Sequence, residues 1–179
     1  MPWRTLPAEV VLRAALDVGV ELDRERARRV RRELKRHEAM ARAARALRTR
    51  DLSAAELDAR LDRANIAPAA RAETIERLAG AGAVDDERFA RSRSRALADR
   101  GAGDLLVRHD LDTRGIAAEA IEAAIASLEP ETERAARICR RKGTGPKTAR
   151  YLARKGFSED AIESVCAEAV AEHDPPVVR

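Results

Sequence analysis

The chain has 179 residues, of which 37% are charged and only 2% aromatic, with a formal net charge of +4. Alanine, leucine, arginine and glutamate, all good helix formers, dominate, and strand-type runs of β-branched and aromatic residues are nearly absent. This composition leaves no material for a β-rich fold. It favours an elongated array of small helical units, with much surface per core, over one compact ball.

The modest net charge hides an uneven distribution. Residues 1–50 carry 14 basic and 7 acidic side chains, residues 51–129 carry 11 and 16, and Arg134 to Lys155 holds nine basic residues and no acidic one. Two basic regions flanking a mildly acidic centre point to a polyanionic partner or an acidic protein surface. Cys139 and Cys166 make no disulfide framework and read as packing residues on apolar helix faces. Met1-Pro2-Trp3-Arg4 opens no apolar run of signal-peptide length, and no stretch approaches the ~20 apolar residues of a membrane span. A cytoplasmic chain without membrane contact is the expectation.

Residues 1–22 stand apart: Trp3-Arg4-Thr5-Leu6-Pro7 and Gly19-Val20-Glu21-Leu22 fit either a small partial module or a lead-in helix. From Arg24 to about Thr49, Ala27, Val30, Leu34, His37, Ala41, Ala44 and Leu47 recur at helical spacing and predict one long amphipathic helix. Ser53-Ala54-Ala55-Glu56 has the form of a capping box and starts a short helix through Leu57 and Leu61. Pro68, a good first-turn residue, opens a third helix through Ile75 and Leu78, stopped by Gly80 and Gly82. Asp85 and Asp86 open the next, whose apolar stripe is Phe89, Ala96 and Leu97. Gly101 and Gly103 separate it from a helix carrying Val107 and Leu111, and another carries Ile121, Ile125 and Leu128. Glu131–Arg141, Pro146–Lys155 and Ser158 to about Glu172 complete the series, the last with a stripe of Ile162, Val165, Cys166 and Ala169. The tail from His173 is expected to fray.

One phrase recurs: Leu61-Asp-Arg-Ala-Asn65-Ile66, Leu111-Asp-Thr-Arg-Gly115-Ile116 and Leu152-Ala-Arg-Lys-Gly156-Phe157, spaced by 50 and 41 residues. Asn and Gly tolerate the left-handed conformation that ends a helix, and the apolar residue after them folds back onto the last turn. The fold class is therefore all-α, in about three tandem three-helix repeats. The expected boundaries are a first repeat over 23–82 with a long first helix, a second over 83–129, a third over 130–172, and a frayed tail over 173–179.

Leu78-Ala-Gly-Ala-Gly82-Ala-Val84-Asp85-Asp86-Glu87-Arg88-Phe89-Ala90, then Arg100-Gly-Ala-Gly103 and Leu111-Asp-Thr-Arg-Gly115-Ile116, resembles the RecX family of RecA regulators. Ala43 to Leu57 looks like the start of that family's first repeat, and Gly156-Phe157 like the close of a helix in its third. The resemblance spans roughly residues 38–170. It departs from the pattern at Asn65, where Gly is usual, at Ala67–Thr74, which lengthen the third helix, and over the first 22 residues. It implies three tandem repeats in a curved body that binds the groove of the RecA–single-stranded-DNA filament. It further implies inhibition of filament growth, ATP hydrolysis, strand exchange and the coprotease activity that triggers the SOS response. A monomer is expected, touching single- or double-stranded DNA weakly or through the filament, and needing no cofactor.

Arg134, Arg137, Arg141, Lys142, Lys147, Arg150, Arg154 and Lys155 are the first candidates for contact with that partner. Arg134, Arg137 and Arg141 share one helical face, and Lys147, Arg150 and Arg154 another. Phosphates neutralised there would release counterions and make binding salt-sensitive. A solvated basic face is the competing reading. Arg24, Arg28, Arg31, Arg32 and Lys35 are a second candidate face, with Glu25–Arg29 and Glu33–Arg36 pairing as the competing explanation. Gly143-Thr-Gly-Pro-Lys147-Thr fails as a P-loop, because Pro146 precedes Lys147 and Arg141 holds the first Gly position. It partly resembles a helix-hairpin-helix turn, and direct DNA binding of that or helix-turn-helix type is the alternative function. Asp85 and Asp86 read as caps rather than acid/base groups, and Phe89 as core. His37, His109 and His173 share no metal-ligand spacing, and no nucleophile motif is present. No catalytic or metal-binding residue is predicted, and the chain is expected not to be an enzyme.

Overall fold

The computed structural model describes residues 5–171, with side-chain surroundings through residue 165. Trp3, the tail from His173, and the side chains of Cys166 and Ala169 lie outside the described residues. Ten helices and no strand are present among those residues. They are α1 (Ala8–Arg13), α2 (Arg24–Leu47), α3 (Ala54–Arg63), α4 (Pro68–Gly80), α5 (Asp86–Asp99), α6 (Asp104–Thr113), α7 (Ala118–Ala126), α8 (Glu131–Lys142), α9 (Pro146–Arg154) and α10 (Glu159–Ala171). The chain divides between Asp85 and Asp86 into two compact units.

In the first unit, α2, α3 and α4 enclose one apolar cluster built on Ala39, Ala43, Ala46, Leu57, Leu61 and Ile66. The alanines of α2 let the shorter helices approach its axis closely. The predicted capping box is present: Glu56 N–H donates to Ser53 Oγ at 3.1 Å, and Ser53 N–H to Glu56 Oε2 at 3.4 Å. The lead-in, unassigned from sequence, contains the one-and-a-half-turn α1, which seats Val10 and Ala14 against Val30 of α2. Isolated, a six-residue helix could not persist; burial of its apolar side against α2 supplies what local hydrogen bonds cannot.

In the second unit, α5–α7 surround Phe89, Val107, Leu111, Ile116 and Ile121. Helices α8–α10 surround Ala135, Ile138, Cys139, Leu152, Phe157 and Val165. The recurrent phrase closes α3, α6 and α9 identically. Asn65, Gly115 and Gly156 take φ of 58°, 72° and 78°. The following N–H returns to the phrase's leucine carbonyl: Ile66 to Leu61 at 3.1 Å, Ile116 to Leu111 at 3.2 Å and Phe157 to Leu152 at 3.1 Å. Each apolar residue is thereby buried, at 7%, 4% and 3% exposure.

Two helix triplets of the second unit are joined through backbone. Gly103 N–H donates to Lys155 O at 2.8 Å and Leu105 N–H to Gly156 O at 2.9 Å, so the start of α6 is tied to the end of α9. Glu131, at the start of α8, reaches both neighbouring helix starts. Its Oε1 accepts Asp104 N–H at 2.6 Å, and its Oε2 accepts Ser158 N–H at 3.2 Å. The carboxylate thus satisfies orphan donors at the beginnings of α6 and α10 together.

Candidate polyanion-binding surfaces

The nine cations between Arg134 and Lys155 have different fates. Arg134 is a correction to the sequence reading. It shares a helical face with Arg141, yet it is buried, and its guanidinium donates to Ala102 O at 2.7 Å and Glu129 O at 3.0 Å. It also pairs with Asp104 and lies 5.8 Å from the Phe157 ring centroid. Azimuth on α8 is the same for both arginines; position along the axis separates them. In the first part of α8 the guanidinium of Arg134 reaches the carbonyl of Ala102 between α5 and α6, whereas the side chains of Arg140, Arg141 and Lys142 at its end are exposed. Arg134 is therefore largely committed to contacts inside the fold, although it also borders the cavity lined by Arg137, Arg141 and Lys142.

Beyond Arg134 the helix emerges. Arg137 is exposed and pairs with Glu129. Arg141, Lys147 and Arg154 are exposed and form no ion pair among the described residues. Arg150 donates only to Pro146 O within its own helix, at 3.2 Å. Lys142 and Lys155 rest near the Tyr151 ring, 4.8 and 5.9 Å from its centroid. Arg137, Arg141 and Lys142 line one pocket of about 230 Å³ with Arg100 and Tyr151, whereas Lys147, Arg150 and Arg154 lie outside it. Arg100 and Tyr151 were not among the predicted residues. The signal for Tyr151 was there: it is the chain's one tyrosine, set between Arg150 and Arg154. Arg100 had none, because only the fold brings the end of α5 to α8.

In the first unit, part of the basic face on α2 is neutralised as its competing reading supposed. Arg36 binds Glu33 at 2.7 Å and Glu73 at 2.8 Å, and these two carboxylates hold its pKa above the ordinary arginine value against the opposing effect of desolvation. Arg29 and Glu25 stand 4.0 Å apart. The rest is concentrated instead. Arg28, Arg31, Arg32 and Lys35 line a groove of about 390 Å³ together with the paired Arg36 and Glu73, against Ala67 just before α4 and Ala69 and Ala70 within it. Arg24 lies outside it.

The acidic centre is occupied internally. Asp110 accepts two hydrogen bonds from Arg93, at 2.8 and 2.9 Å, and one at 2.8 Å from Arg114 Nε. The Arg93 hydrogen bonds hold its carboxyl well below the usual range, with Arg114 adding to the effect. Glu122 is likewise lowered by its bidentate contact with Arg108. Asp104 moves the other way, raised by burial against the pull of Arg134. Asp110 and Glu122 are thus spent inside α5–α7 and Asp104 on Arg134 of α8, while most cations of α8 and α9 face water unmatched. Among the described residues no group of three or more His, Cys, Asp or Glu could hold a metal ion, and no helix is long and apolar enough to cross a membrane. Phe89 is buried, Asp86 opens α5, Arg88 is exposed, and Cys139 is buried in the α8–α10 cluster.

Fold and surface together define a tandem three-helix-repeat protein with unmatched basic side chains on its last repeat. Residues 85–125 match the model of the second three-helix domain of RecX. The regulatory protein RecX of Xanthomonas campestris pv. campestris is 40% identical over 123 residues, 63% of this chain and 76% of that protein. Its Stenotrophomonas maltophilia counterpart is 39% identical over the same shares. A crystal structure of regulatory protein RecX superposes with a TM-score of 0.75 at 21% identity, covering 87% of this chain and 85% of that one. RecX from Lactobacillus salivarius gives 0.68 at 19% identity, covering 76% and 97%. The chain belongs to the RecX family.

Proposed function

We propose that this chain binds the RecA–single-stranded-DNA filament and restrains its ATP hydrolysis, strand exchange and SOS coprotease activity. It acts as a non-enzymatic, cytoplasmic regulator of recombination and repair. The contact surface is on the third repeat, the exposed Arg137, Arg141, Lys142, Lys147, Arg150 and Arg154 with the half-buried Lys155, and the α2 groove of the first repeat is a second contact. Three modules, over 23–82, 83–129 and 130–172, carry these surfaces. The observation that carries the reading is the mismatch of charge: Asp110 and Glu122 are paired inside α5–α7, while Arg141, Lys147 and Arg154 have no ion-pair partner among the described residues.

Such a surface gains from charge-assisted hydrogen bonds to phosphates or carboxylates and from counterion release. Its cations are spread along two helices, which suits a ligand that is itself an extended polymer. A monomer seated across neighbouring recombinase subunits obstructs their motion and addition without chemistry or cofactor. The test is the RecA ATPase rate on single-stranded DNA with the chain at substoichiometric amounts. A marked fall supports the reading, and an unchanged rate at low ionic strength removes it. The exposed Gly143–Gly145 turn that opens α9 favours a second reading, direct binding of DNA. Tight gel-shift of bare duplex, with no preference for the filament, would select that one.

A further inference from the structure

The pocket at the end of α5 has a composition that a general basic surface does not need. It is lined by Tyr151 and Ile138 and by the cations Arg100, Arg134, Arg137, Arg141 and Lys142, of which Arg134 is buried and paired with Asp104, and Asp99 is its one acid. Tyr151 is half-buried, so one part of the ring packs with the α8–α10 cluster and the rest faces the cavity. Its hydroxyl has no hydrogen-bond partner among the described residues, and Arg100 and Arg141 have no ion-pair partner there. The volume of about 230 Å³ falls below that of ordinary small-molecule pockets. It suits one flat, partly embraced group attached to something larger.

A plain polyanion gains nothing from a tyrosine ring or from Asp99. An acidic peptide gains from the arginines alone. A nucleotide uses both halves: its base has an apolar face for the ring, and its phosphate accepts hydrogen bonds from guanidinium groups. Bases in a duplex are already stacked on each other, so the ligand must be unpaired. From this geometry we infer that the α5–α8–α9 pocket seats one unpaired nucleotide of a single DNA strand, base on Tyr151 and phosphate between Arg100 and Arg141. Lys142, on a flexible stem, leaves the ring for the phosphate, and Arg137 is shared between the phosphate and Glu129. Asp99 stands where exocyclic amino groups of a base can donate to it. The inference rests on the reading that the partner carries single-stranded DNA, and names what the surface touches in it.

A free nucleotide offers the same chemistry, so the experiment separates the sources. The intact chain, without RecA, is irradiated with a short single strand containing 5-iodo-deoxyuridine and digested with trypsin. Cleavage after Arg150 and Arg154 isolates the peptide Tyr151–Arg154, which is expected to carry the adduct. Unmodified single strand should compete it away, and excess ATP or equimolar duplex should not. Loss of the adduct to ATP would assign the pocket to free nucleotides and overturn the proposal, as would loss to inorganic polyphosphate of equal charge.

Affinity against salt gives an independent readout. Tyr151→Leu should weaken oligonucleotide binding roughly ten- to hundredfold with an unchanged salt slope. Arg141→Gln should weaken it while lowering the slope by about 0.7, the value of one phosphate contact on a single strand. Tyr151→Phe keeps the ring and should keep the adduct, which covers the case of a poorly folded leucine variant. Oligonucleotide affinity unaffected by Tyr151→Leu, or adducts confined to other peptides, sinks the inference. Since RecA is absent throughout, a chain that binds the strand here but leaves the RecA ATPase untouched refutes the proposed function and spares the nucleotide seat.

Discussion

Gly103 lies against Gly156 so closely that a Cβ on Gly103 would fall on the Gly156 carbonyl group. The contact requires a bare Gly103, while a Cβ on Gly156 would meet Leu106 of α6, and the approach allows the hydrogen bonds from Gly103 to Lys155 and from Leu105 to Gly156. Gly103→Ala should therefore force backbone apart and cost about 3 kcal/mol, at the upper end of overpacking effects. Gly80 is the control: it is the last residue of α4, a Cβ there meets nothing within 4 Å, and Gly80→Ala should leave stability equal or slightly higher. Denaturant unfolding of the two variants checks both. Equal midpoints would show that the α6–α9 contact is looser than the backbone geometry requires.

Arginines on one face of α8 should divide by depth. Arg134→Ala leaves Asp104 without its buried cation and frees two carbonyls, and should destabilise the chain by about 3–5 kcal/mol. The combined change of Arg137, Arg141, Arg150 and Arg154 to Glu removes only exposed groups, and should leave the melting temperature near wild type while abolishing inhibition of RecA. Thermal melts and the ATPase assay read the two effects separately. Full inhibition by the quadruple variant would remove these residues from the contact surface.

The contrast between those arginines also marks the limit of what could be read from sequence. Helix spacing, the capping box at Ser53 and the Leu-x-x-x-Gly/Asn phrase are local, and each was legible because its physics is contained in six residues or a few turns. Burial of Arg134 depends on which element lies over the first turn of α8, and no local pattern carries that. The same holds for Gly103, whose φ is ordinary and whose need for glycine comes from a backbone far along the chain. The short α1 escaped for the opposite reason: six residues are too few for a period to show, and only Val30 reveals which side is apolar. The pocket around Tyr151 was half legible, since its cations stand in one run and Arg100 does not.

Phe89 is 8% exposed and packs with Val107, Leu111 and Ile116 at the centre of the α5–α7 cluster. Phe89→Ala should lower stability by about 3–5 kcal/mol, the usual cost of deleting a buried aromatic ring. A melting curve equal to that of wild type would show that the ring contributes nothing to this core.

Asp110 couples stability to acid pH. Its carboxyl is held below the usual range by Arg93 and then Arg114, so the folded state binds its proton less readily than the unfolded chain does. Its contribution is fully present above the unfolded value of about 4 and is lost as pH falls through that value toward the lower folded one. Asp110→Asn should cost about 2 kcal/mol at pH 7, as expected for charged hydrogen bonds that are largely shielded. The gap to wild type should narrow below pH 4. A constant gap from pH 7 to pH 2.5 would mean that the folded chain binds this proton as readily as the unfolded chain does, and that the two arginines do not favour the carboxylate.

The two classes of cation on α2 should part in the same experiment. Arg36 is held between Glu33 and Glu73, and Glu33 is itself 6% exposed, so Arg36→Gln leaves a buried carboxylate short of its partner. The expected cost is about 1–3 kcal/mol of stability, with little change in partner affinity, because the removed charge was already neutralised. Arg28, Arg31 and Lys35 have no ion-pair partner among the described residues and line the groove against Ala67, Ala69 and Ala70. Changing all three to Gln should leave the melt unaltered and weaken filament binding, increasingly so as salt is lowered, because released counterions give these contacts their strength. If the triple variant binds the filament as wild type does at low salt, the groove is a solvated face, and the third repeat alone carries the contact. If it unfolds instead, the three side chains hold α2 to its neighbours by their aliphatic stems, and the groove's charge has no bearing on the partner.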